Sequence, residues 1–600
     1  MRARSGKLLL SALATGLLTA LTSCGALTSV LPGTPARTVP GPAAKACGFL
    51  PSFREATAGE IMAGRLTISP FKPVTVDPAR DGNVDWRQDP YHHPTWRQDF
   101  QSGGWIEMLI SGYLAGGPRS GAYRARAEAL TRSWLKHVPV GDRDPETVIC
   151  LSEGFPGQKW IDDQIAASVN YLAGHWQGPW NHGLVQDLKL MRIGCAYPAT
   201  AFGGAARRWR KTADRQILSS FYDSPRLGPS VDAQGAVNEQ ATGYERFVYD
   251  LWRDGEPELR ACGYRLPGGV RARIGKMADF LAEAGQPDGN LVQIGDTYAE
   301  SSFLPPRPRL PKLPLVAVYQ AGYVFGRSAW GAGGTFYSLR FGRPRQVHGH
   351  NDHLGVTYYA RGRNLIVDAG HTGYEDGSYR DYIRSPEAAS TFLSASGPFR
   401  ASQPSSLVTD RIGRTSQYYR LADQAIGGHR TRSVYVHDGP DFALVLDQGS
   451  GERRYQQLWH LDPSLTARAA GGGSATASAP AVPSRGVPAT LLHLLRVPVP
   501  GGGAPGAVRV VKGQKNPYQG WVSRQALQRT PAPVVIMNGD GTGAGLSTAM
   551  LTLIAATAPG TPVSATAKRH GRDYDVRVRA GTVTTTVSLP CRGPQDAAAC

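Results

Sequence analysis

The period of the hydrophobic pattern changes about halfway along the chain, and this change constrains the fold more than any other feature. Before about residue 300, segments such as "AYRARAEALTRSWLKHV" and "VRARIGKMADFLAEAG" carry apolar residues three and four positions apart, as an amphipathic helix does. After it, "TFYSLRF", "LGVTYYA" and "FALVLDQ" are typical of strands separated by Gly, Asp and Asn turns. The sequence therefore predicts an all-α region followed by an all-β region, and the many short strands favour an antiparallel sandwich.

A proline-rich segment, "PDGNLVQIGDTYAESSFLPPRPRLPKLP", separates the two patterns. A chain of 600 residues is too long for one core. We therefore predict a helical domain over residues 51–300, a linker over 301–314 and a β-sandwich domain over 315–600. Two low-complexity segments, "AAGGGSATASAPAVPS" and "PVPGGGAPGA", are predicted to be loops between strands.

The N-terminal residues resemble an export signal. "MRARSGK" is basic, "LLLSALATGLLTAL" is apolar but short for a membrane span, and "LTSCG" places Cys24 where bacterial lipoproteins carry a lipidated cysteine. We expect a signal peptide over residues 1–23, a flexible tether rich in Gly, Pro, Ser and Thr over 24–50, and an exported protein that is lipid-anchored on the extracellular side of the cell membrane. Ordinary signal cleavage a few residues later is the alternative.

The cysteine count agrees with an exported, lipidated protein. The chain has seven cysteines, and setting Cys24 aside leaves an even number that can form disulfides in an oxidising compartment. Six cysteines allow fifteen pairings, and only Cys591–Cys600 is predicted from its local spacing. The others are Cys47, Cys150, Cys195 and Cys262.

The formal net charge of +19 predicts an anionic partner. Anionic polysaccharide, membrane surface and nucleic acid all fit this charge, but the predicted export excludes nucleic acid. Basic residues that only keep the surface soluble are the alternative.

Three stretches contain residue types that suggest chemistry. The first is "GPWNHGLVQDLKL", with Asn181 and His182; the second is "GAVNEQATGYERFVYDLW", with Tyr244; the third is "HGHNDHLGVTYYARGRNLIVDAG", which begins at His348. In this order, with "DGNLVQIGD" between the second and third, they resemble the heparinase II/III-like polysaccharide lyases and the related alginate lyases. The resemblance covers most of the predicted mature chain and implies an (α/α) toroid followed by an antiparallel β-sandwich.

The chemistry of such lyases explains these residue types. A lyase removes the C5 proton of a uronic acid and expels the 4-oxygen, so the adjacent carboxylate must be neutralised while a base and an acid move protons. The resemblance implies that Asn181 neutralises the carboxylate and that His182 is a base or a second neutraliser. It implies that Tyr244 donates a proton and, in a syn elimination, also acts as the base, and that His348 enters the site from the sandwich. The active site is then expected between the two domains.

Several neighbours of these residues are candidates for substrate binding. Glu239 and Gln240 precede Tyr244, and Arg343 and Arg345 precede the third motif, where they could bind substrate carboxylates. Each motif also has a simpler interpretation: Asn-His-Gly occurs in turns and helix caps, and the helical spacing of Tyr244 suits a core residue.

The third motif also raises the question of a metal. No cofactor is required for the predicted reaction, but some members of the family hold a structural zinc, and the resemblance matches His350 and Asp368 to two of its ligands. The third ligand, a histidine followed by asparagine, is replaced here by Ala389 and Ser390.

A shared metal would also require the chain to bend. If "LGVTYYA" pairs with "NLIVDAG", a straight strand would hold His350 and Asp368 roughly 20 Å apart. His353 and His371 are the alternative third ligands.

Two other functions remain open. A glycoside hydrolase on the same fold would use paired carboxylates, but Asp162 and Asp163 of "WIDDQ" are adjacent helical residues that point in different directions. The second alternative hypothesis is a non-catalytic polysaccharide-binding protein of the cell envelope. The sequence does not distinguish a glycosaminoglycan from alginate or a bacterial exopolysaccharide, nor endo from exo cleavage.

Overall fold

The computed structural model describes residues 57–222, 226–303, 313–375, 377–500, 502–503 and 505–590. The predicted signal peptide, the lipidated Cys24, the tether and the Cys591–Cys600 pair lie outside these ranges. The described residues form two compact units. The first contains residues up to Ser230 together with Phe247–Arg271, and the second contains Val231–Arg246 and the residues from Ala272 onward.

The first half of the chain is helical, as predicted. Its helices are α1 (Ala58–Met62), α2 (Pro94–Gln101), α3 (Glu107–Leu114), α4 (Ser120–His137), α5 (Pro145–Ser152), α6 (Lys159–Gly174), α7 (Asn181–Ala196), α8 (Ala201–Tyr222), α9 (Thr242–Ala261) and α10 (Gly268–Ala284). A short helix, α11 (Ser378–Ile383), lies among the strands of the second half. Within the described ranges, none of the helices has the length and apolar composition that a membrane span needs.

Tryptophans form much of the core of the first unit. Six of those between Trp86 and Trp252 are at most 3% exposed, and these are Trp86, Trp96, Trp105, Trp134, Trp209 and Trp252. Trp160, Trp176 and Trp180 are only partly buried. Burial of an aromatic ring of this size is among the largest single hydrophobic contributions that a helical core can receive.

Helix α7 is held in place by charges and by a disulfide. Lys189 donates to Asp144 at 2.6 Å and the guanidinium of Arg192 lies 2.9 Å from Glu258, so α7 is tied to α5 and α9. Cys195 at its end forms a disulfide with Cys262, and their Cα atoms lie 5.7 Å apart. This is one of the fifteen pairings that the sequence left open.

Strands occupy most of the second half, also as predicted. The strands are β1 (Arg65–Leu66), β2 (Val74–Thr75), β3 (Val316–Tyr319), β4 (Tyr323–Arg327), β5 (Phe336–Arg340), β6 (Val356–Ala360), β7 (Arg363–Ile366), β8 (Phe392–Ser394), β9 (Ser406–Ile412), β10 (Ser416–Asp423), β11 (Arg430–His437), β12 (Phe442–Gly449) and β13 (Arg454–His460). They continue with β14 (Thr466–Ala470), β15 (Ser474–Ala479), β16 (Thr490–Val497), β17 (Val508–Lys512), β18 (Gln514–Lys515), β19 (Tyr518–Gln519), β20 (Trp521–Val522), β21 (Thr530–Pro531), β22 (Pro533–Asp540), β23 (Thr548–Thr557), β24 (Val563–His570), β25 (Asp573–Ala580) and β26 (Val583–Pro590).

The pairing of the sheet strands is antiparallel. One sheet has the order β3-β4-β5-β6-β7, a larger one β14-β15-β16-β23-β12-β11-β10-β9, a third β17-β22-β13-β8 and a fourth β24-β25-β26. Side chains from the first three sheets share one buried core, which includes Tyr337, Tyr419, Tyr455, Trp459 and Ile554. This is the layered arrangement expected of a β-sandwich.

One of the two loop predictions is wrong. The segment "AAGGGSATASAPAVPS" contains the end of β14 and the whole of β15, because Ala475, Ala477 and Ala479 alternate toward the core and are at most 3% exposed. The low-complexity composition hid a strand whose buried face consists of alanine. The other segment, "PVPGGGAPGA", lies between β16 and β17 as predicted.

The compact units do not follow the predicted domain bounds. Residues 231–246 and 272–300, which the sequence placed in the helical domain, belong with the strands of the second unit. Backbone hydrogen bonds account for this, because Thr242 N–H donates to Ile294 O at 3.3 Å and Asp296 N–H donates to His348 O at 2.9 Å. The part of the second motif that contains Tyr244 and the start of the third motif therefore lie in one unit.

Candidate active site

A buried carboxylate, Asp296, organises the candidate site in the second unit. It is 3% exposed and receives both terminal nitrogens of Arg380 at 3.0 and 2.8 Å. Nδ1 of His348 lies 3.1 Å from it and Nε2 of His350 lies 3.0 Å from it. Nδ1 of His371 is 3.1 Å away.

These neighbours keep Asp296 ionised. Burial alone would raise its pKa, but the charge of His371 and the hydrogen bonds from His348 and His350 hold the pKa well below the usual carboxyl value. An ionised carboxylate only accepts hydrogen bonds, so the nitrogens of His348 and His350 that face it carry protons. Asp296 thereby fixes which ring nitrogen of His348 is protonated.

The ring of His348 stacks on the ring of Tyr244. The family resemblance assigned both residues to one site. The ring centroids are 3.4 Å apart and the planes differ by 5°. Tyr244 lies in the first turn of α9. His348, which stacks on it, is held in place by its contact with Asp296. Burial lowers the pKa of His348 more than Asp296 raises it, so the imidazole is neutral near pH 7.

Tyr374 completes this group, and it was not among the predicted site residues. Its hydroxyl is hydrogen-bonded to the hydroxyl of Tyr244 and lies 3.1 Å from Nδ1 of His348. Both tyrosines are half-buried, and burial is the main reason that the pKa of each is raised above the usual value of 10. Both hydroxyls are therefore protonated at neutral pH. The only sequence signal was the location of "HTGY" immediately after the third motif.

Glu239 lies behind His348. Its backbone oxygen accepts from His348 N–H at 3.2 Å, and its side-chain oxygen lies 3.5 Å from Nε2 of His348. The side chain is 1% exposed, so it contacts the imidazole rather than solvent. The structure thus gives Glu239 a positioning role, and its predicted contact with substrate stays a prediction.

Gln240 holds the loop that carries Arg343 and Arg345. Its amide nitrogen donates to the carbonyl oxygens of Arg343 and Pro344 at 3.1 and 3.2 Å, and its amide oxygen accepts from Gln346 N–H at 2.7 Å. These bonds use both ends of the buried amide, so Gln240 shapes the loop, and its predicted contact with substrate stays a prediction. The side chains of Arg343 and Arg345 are exposed, as their predicted role requires.

Asn181 and His182 begin α7 in the first unit. Asn181 is 4% exposed, whereas His182 is exposed and stacks on Trp180 with centroids 4.3 Å apart. Trp180 occupies the N-cap position and Asn181 is the first helical residue, so the motif is not an asparagine cap. Their predicted catalytic roles are not tested by this geometry.

The glycine of the Asn-His-Gly motif has a packing cause. A Cβ added to Gly183 would lie 1.8 Å from the carbonyl oxygen of Gly178 and 2.8 Å from Nε1 of Trp176. The preceding loop therefore passes so close to α7 that only glycine fits, and this contact fixes the start of the helix.

The chain bends so that His350 meets Asp368, as a metal site would need. Nδ1 of His350 lies 3.7 Å from Asp368, and Leu354 in the intervening turn has a φ of 61°. Burial would lower the pKa of His350, but hydrogen bonds and charges from Asp296 and Asp368 raise it to about 9. The imidazole is thus a cation between two carboxyl groups.

The residues present do not fit the family's zinc site. Ala389, at the position of the third ligand, offers no donor atom and lines a cavity of about 10 Å³, room for about one water molecule. The hydroxyl of Ser390 accepts from His460 N–H at 2.9 Å. His371, one alternative ligand, is engaged by Arg380 at 2.9 Å.

The other alternative ligand, His353, is buried, and its pKa is lowered to about 4 by burial. In the part of the chain that the structure covers, no three His, Cys, Asp or Glu side chains are arranged to hold a metal ion. The predicted zinc site at His350 and Asp368 is therefore not supported.

Comparisons with known proteins agree with this architecture. Residues 311–484 match the family model described as Heparinase II/III-like, C-terminal. The matched segment contains His348, His350, Asp368 and Tyr374. No curated protein sequence matched the chain.

Solved structures share the fold over nearly the whole length. A crystal structure of heparinase III superposes with a TM-score of 0.69 at 14% identity, covering 89% of this chain and 90% of that one. A mutant of heparan sulfate lyase HepC from Pedobacter heparinus gives 0.64 at 14% identity, covering 92% and 90%. The predicted fold, a helical toroid followed by an antiparallel β-sandwich, is confirmed.

Replacing Asp296 with asparagine should destabilise the second unit. The change leaves the buried guanidinium of Arg380 without its ionic partner, and breaking a buried pair in this way typically costs about 3 kcal/mol. Urea unfolding followed by circular dichroism should show a lower midpoint for Asp296→Asn than for the wild type. Asp381→Asn, an exposed change on α11, is the matched control and should shift stability by less than about 0.5 kcal/mol.

The stability difference between the wild type and Asp296→Asn should also depend on pH. Because the pKa of Asp296 is lower in the folded state, its contribution is complete above about pH 4 and is lost as the pH falls through the folded value. The difference between wild type and Asp296→Asn should therefore shrink in acid. A difference that grew as the pH fell would contradict the assigned charge state.

Removing metal ions should leave stability unchanged. Dialysis against EDTA followed by thermal unfolding, with elemental analysis of the untreated protein, measures this directly. We expect less than one equivalent of zinc and the same Tm before and after dialysis. A Tm that fell with EDTA and recovered with zinc would show that the site holds a metal despite Ala389.

Proposed function

We propose that the protein is a polysaccharide lyase that cleaves a uronic-acid-containing anionic polysaccharide by β-elimination. The observation that carries the proposal is the contact between Tyr244, His348 and Tyr374, with Asp296 fixing the imidazole from behind. This group presents a protonated phenol, the proton donor that general acid catalysis needs, and the neutral imidazole of His348 stacks on it and holds it in place. It lies partly within the segment that matches the heparinase II/III-like model.

Two further observations support a polysaccharide substrate. The structures that share the fold include one named as heparinase III and one named as a heparan sulfate lyase. The formal net charge of +19 suits an anionic polymer.

The hydrogen bonds suggest a direction for proton movement. Nδ1–H of His348 points to the ionised Asp296 and is shared with the oxygen of Tyr374. The hydroxyl of Tyr374 then donates to the oxygen of Tyr244, which leaves the proton of Tyr244 available to an external acceptor. In the proposed reaction that acceptor is the departing 4-oxygen of the glycosidic bond.

The elimination then proceeds with balanced bonds. A base takes the C5 proton, the electrons of that bond form the C4–C5 double bond, and the C4–O4 bond breaks. Tyr244 protonates the leaving oxygen; after the products leave, its phenolate takes a proton from water and the base returns the C5 proton to water. The family resemblance assigns the base to His182, or to Tyr244 in a syn elimination, and carboxylate neutralisation to Asn181; because burial raises the pKa of Tyr244 and keeps its hydroxyl protonated, we propose His182 as the base and Tyr244 as the acid.

We also propose that the protein is exported and lipid-anchored through Cys24. The support is the sequence alone, namely the basic start, the short apolar stretch and "LTSCG". An extracellular location would place the enzyme where polysaccharides of this kind occur.

The hydrolase alternative gains nothing from the geometry. Asp163 forms an exposed ion pair with Lys159 at 2.6 Å on the same helix. It therefore acts as a helix-surface charge and does not face a second carboxylate across a substrate site.

Substitution of Tyr244 tests the proposal most simply. Incubation with heparan sulfate, chondroitin sulfate, alginate and polygalacturonate should yield ultraviolet-absorbing unsaturated products from at least one polymer. Tyr244→Phe should reduce that rate by about 10²-fold or more, because it removes the proton donor. Tyr374→Phe should reduce it less, and Tyr123→Phe, in the first unit, should not reduce it.

The opposite results would count against the proposal. Wild-type protein that bound a uronate polymer but released no unsaturated product from any of these would be a binding protein. Full activity in Tyr244→Phe would remove Tyr244 from the mechanism even if elimination occurred.

The predicted catalytic roles of Asn181 and His182, which lie in the first unit, can be tested separately. Asn181→Ala should lower kcat, because loss of a donor that stabilises developing charge typically costs about 10²-fold. His182→Ala should remove the acid limb of the pH–rate profile. On that limb, the rate falls because the base becomes protonated. Unchanged kinetics in both variants would restrict the catalytic group to the second unit.

A further inference from the structure

Arginines accumulate beside the candidate site without enough acidic partners. Arg380 and Arg384 lie one helical turn apart at the end of α11 and face the same side. Arg380 is fully committed, since it binds Asp296 through two nitrogens and its guanidinium lies 5.1 Å from the ring of Tyr374. Among the described residues, Arg384 forms no ion pair with a carboxylate, and the charges of Asp296 and Asp381 act on it only from farther away.

The half-buried side chain of Arg384 is incompletely satisfied. Its Nε atom is shielded from solvent and has no hydrogen-bond partner among the described residues. Burial and the nearby charges of Arg345 and Arg380 lower its pKa by more than the charges of Asp296 and Asp381 raise it. A buried donor of this kind is costly unless a ligand or water binds it.

The backbone connects Arg384 directly to the third motif. Asn351 N–H donates to the carbonyl oxygen of Arg384 at 3.1 Å. Asn351 follows His350, and His348, two residues before His350, stacks on Tyr244. The end of α11 is therefore joined to the hairpin that carries the candidate catalytic imidazole.

The loop bearing Arg345 is also fixed in advance. Gln240 binds residues on both sides of Arg345 with its buried amide, at Pro344 and Gln346. A glycine is required at position 349, because a Cβ there would lie 2.4 Å from the amide oxygen of Gln240. Arg345 itself is exposed and forms no ion pair within the described part of the chain. The held loop reduces the backbone freedom that is lost when Arg345 binds an anion.

From this arrangement we propose that Arg384 and Arg345 form an oxyanion-binding subsite that holds a carboxylate or sulfate of the polysaccharide next to the reacting sugar. This inference rests on the proposed function and assigns to Arg384 a role that the sequence motifs do not indicate. The planar guanidinium suits both anions, since either offers two oxygens to its parallel N–H groups. Gln240 acts as a positioning residue for the subsite through the loop.

The test compares steady-state kinetics on the polymer that the wild type cleaves. Arg384→Gln and Arg345→Gln should each raise KM by about tenfold with kcat changed by less than about twofold, since they remove binding made equally in the ground and transition states. Each variant should also show a weaker dependence of KM on salt concentration. Arg411→Gln, an exposed change on β9, is the matched control and should leave KM and its salt dependence unchanged.

One further variant and a folding measurement separate the effects of charge from those of misfolding. Arg384→Lys keeps the charge and should recover part of the lost affinity. Urea unfolding checks that each variant is folded, and Arg345→Gln, at an exposed position, carries the test if Arg384→Gln does not fold.

The source of the anion is identified with chemically desulfated substrate. If the effect of Arg384→Gln persists on desulfated polymer, the bound group is a carboxylate; if it disappears, the group is a sulfate. A folded Arg384→Gln and a folded Arg345→Gln with wild-type KM would overturn the subsite while leaving the lyase activity intact. Absence of unsaturated product from the wild type would instead refute the proposed function.

Discussion

The ionised carboxylate of Asp296 is the interaction on which the candidate site depends. It is buried, yet it stays charged because Arg380 and the protonated nitrogens of His348 and His350 surround it. Its own N–H donates to the carbonyl oxygen of His348, so main chain and side chain both fix the same residue. An uncompensated charge at this depth would cost several kcal/mol, which makes the partners mutually necessary.

Fixing His348 has consequences for the tyrosines. The protonated Nδ1 turns toward Asp296, and the imidazole face is then available to stack on Tyr244. Tyr374 closes the group by contacting both His348 and Tyr244. A site whose side chains are held by such supporting contacts needs little reorganisation when charge develops on a substrate.

Hydrophobic period and motif order were sufficient to predict the fold and part of the site. The helices before residue 285 and the antiparallel strands after residue 315 follow directly from the spacing of apolar residues. Tyr244 and His348 were predicted through motifs and do meet. The motif "DGNLVQIGD" was used only as a boundary, although its last residue is Asp296, because a single aspartate in a loop carries no periodic signal. Tyr374, Arg380 and Arg384 were missed for the same reason, since only the folded hairpin and α11 bring them to the site.

The zinc prediction shows where resemblance and local chemistry diverge. Two of the three ligand positions are retained and the chain bends as required, but Ala389 supplies no donor. His350 instead carries positive charge between Asp296 and Asp368, so an imidazolium supplies the cation that these carboxyl groups need. The bend in the third motif is thus explained by the ion pairs and does not depend on a metal.

Digestion of a uronate polymer in water enriched in oxygen-18 would test the central claim most directly. β-Elimination breaks the C4–O4 bond without adding water, so the account predicts unsaturated products that contain no heavy oxygen by mass spectrometry. Saturated products carrying one heavy oxygen at the new chain end would show hydrolysis and would contradict the account.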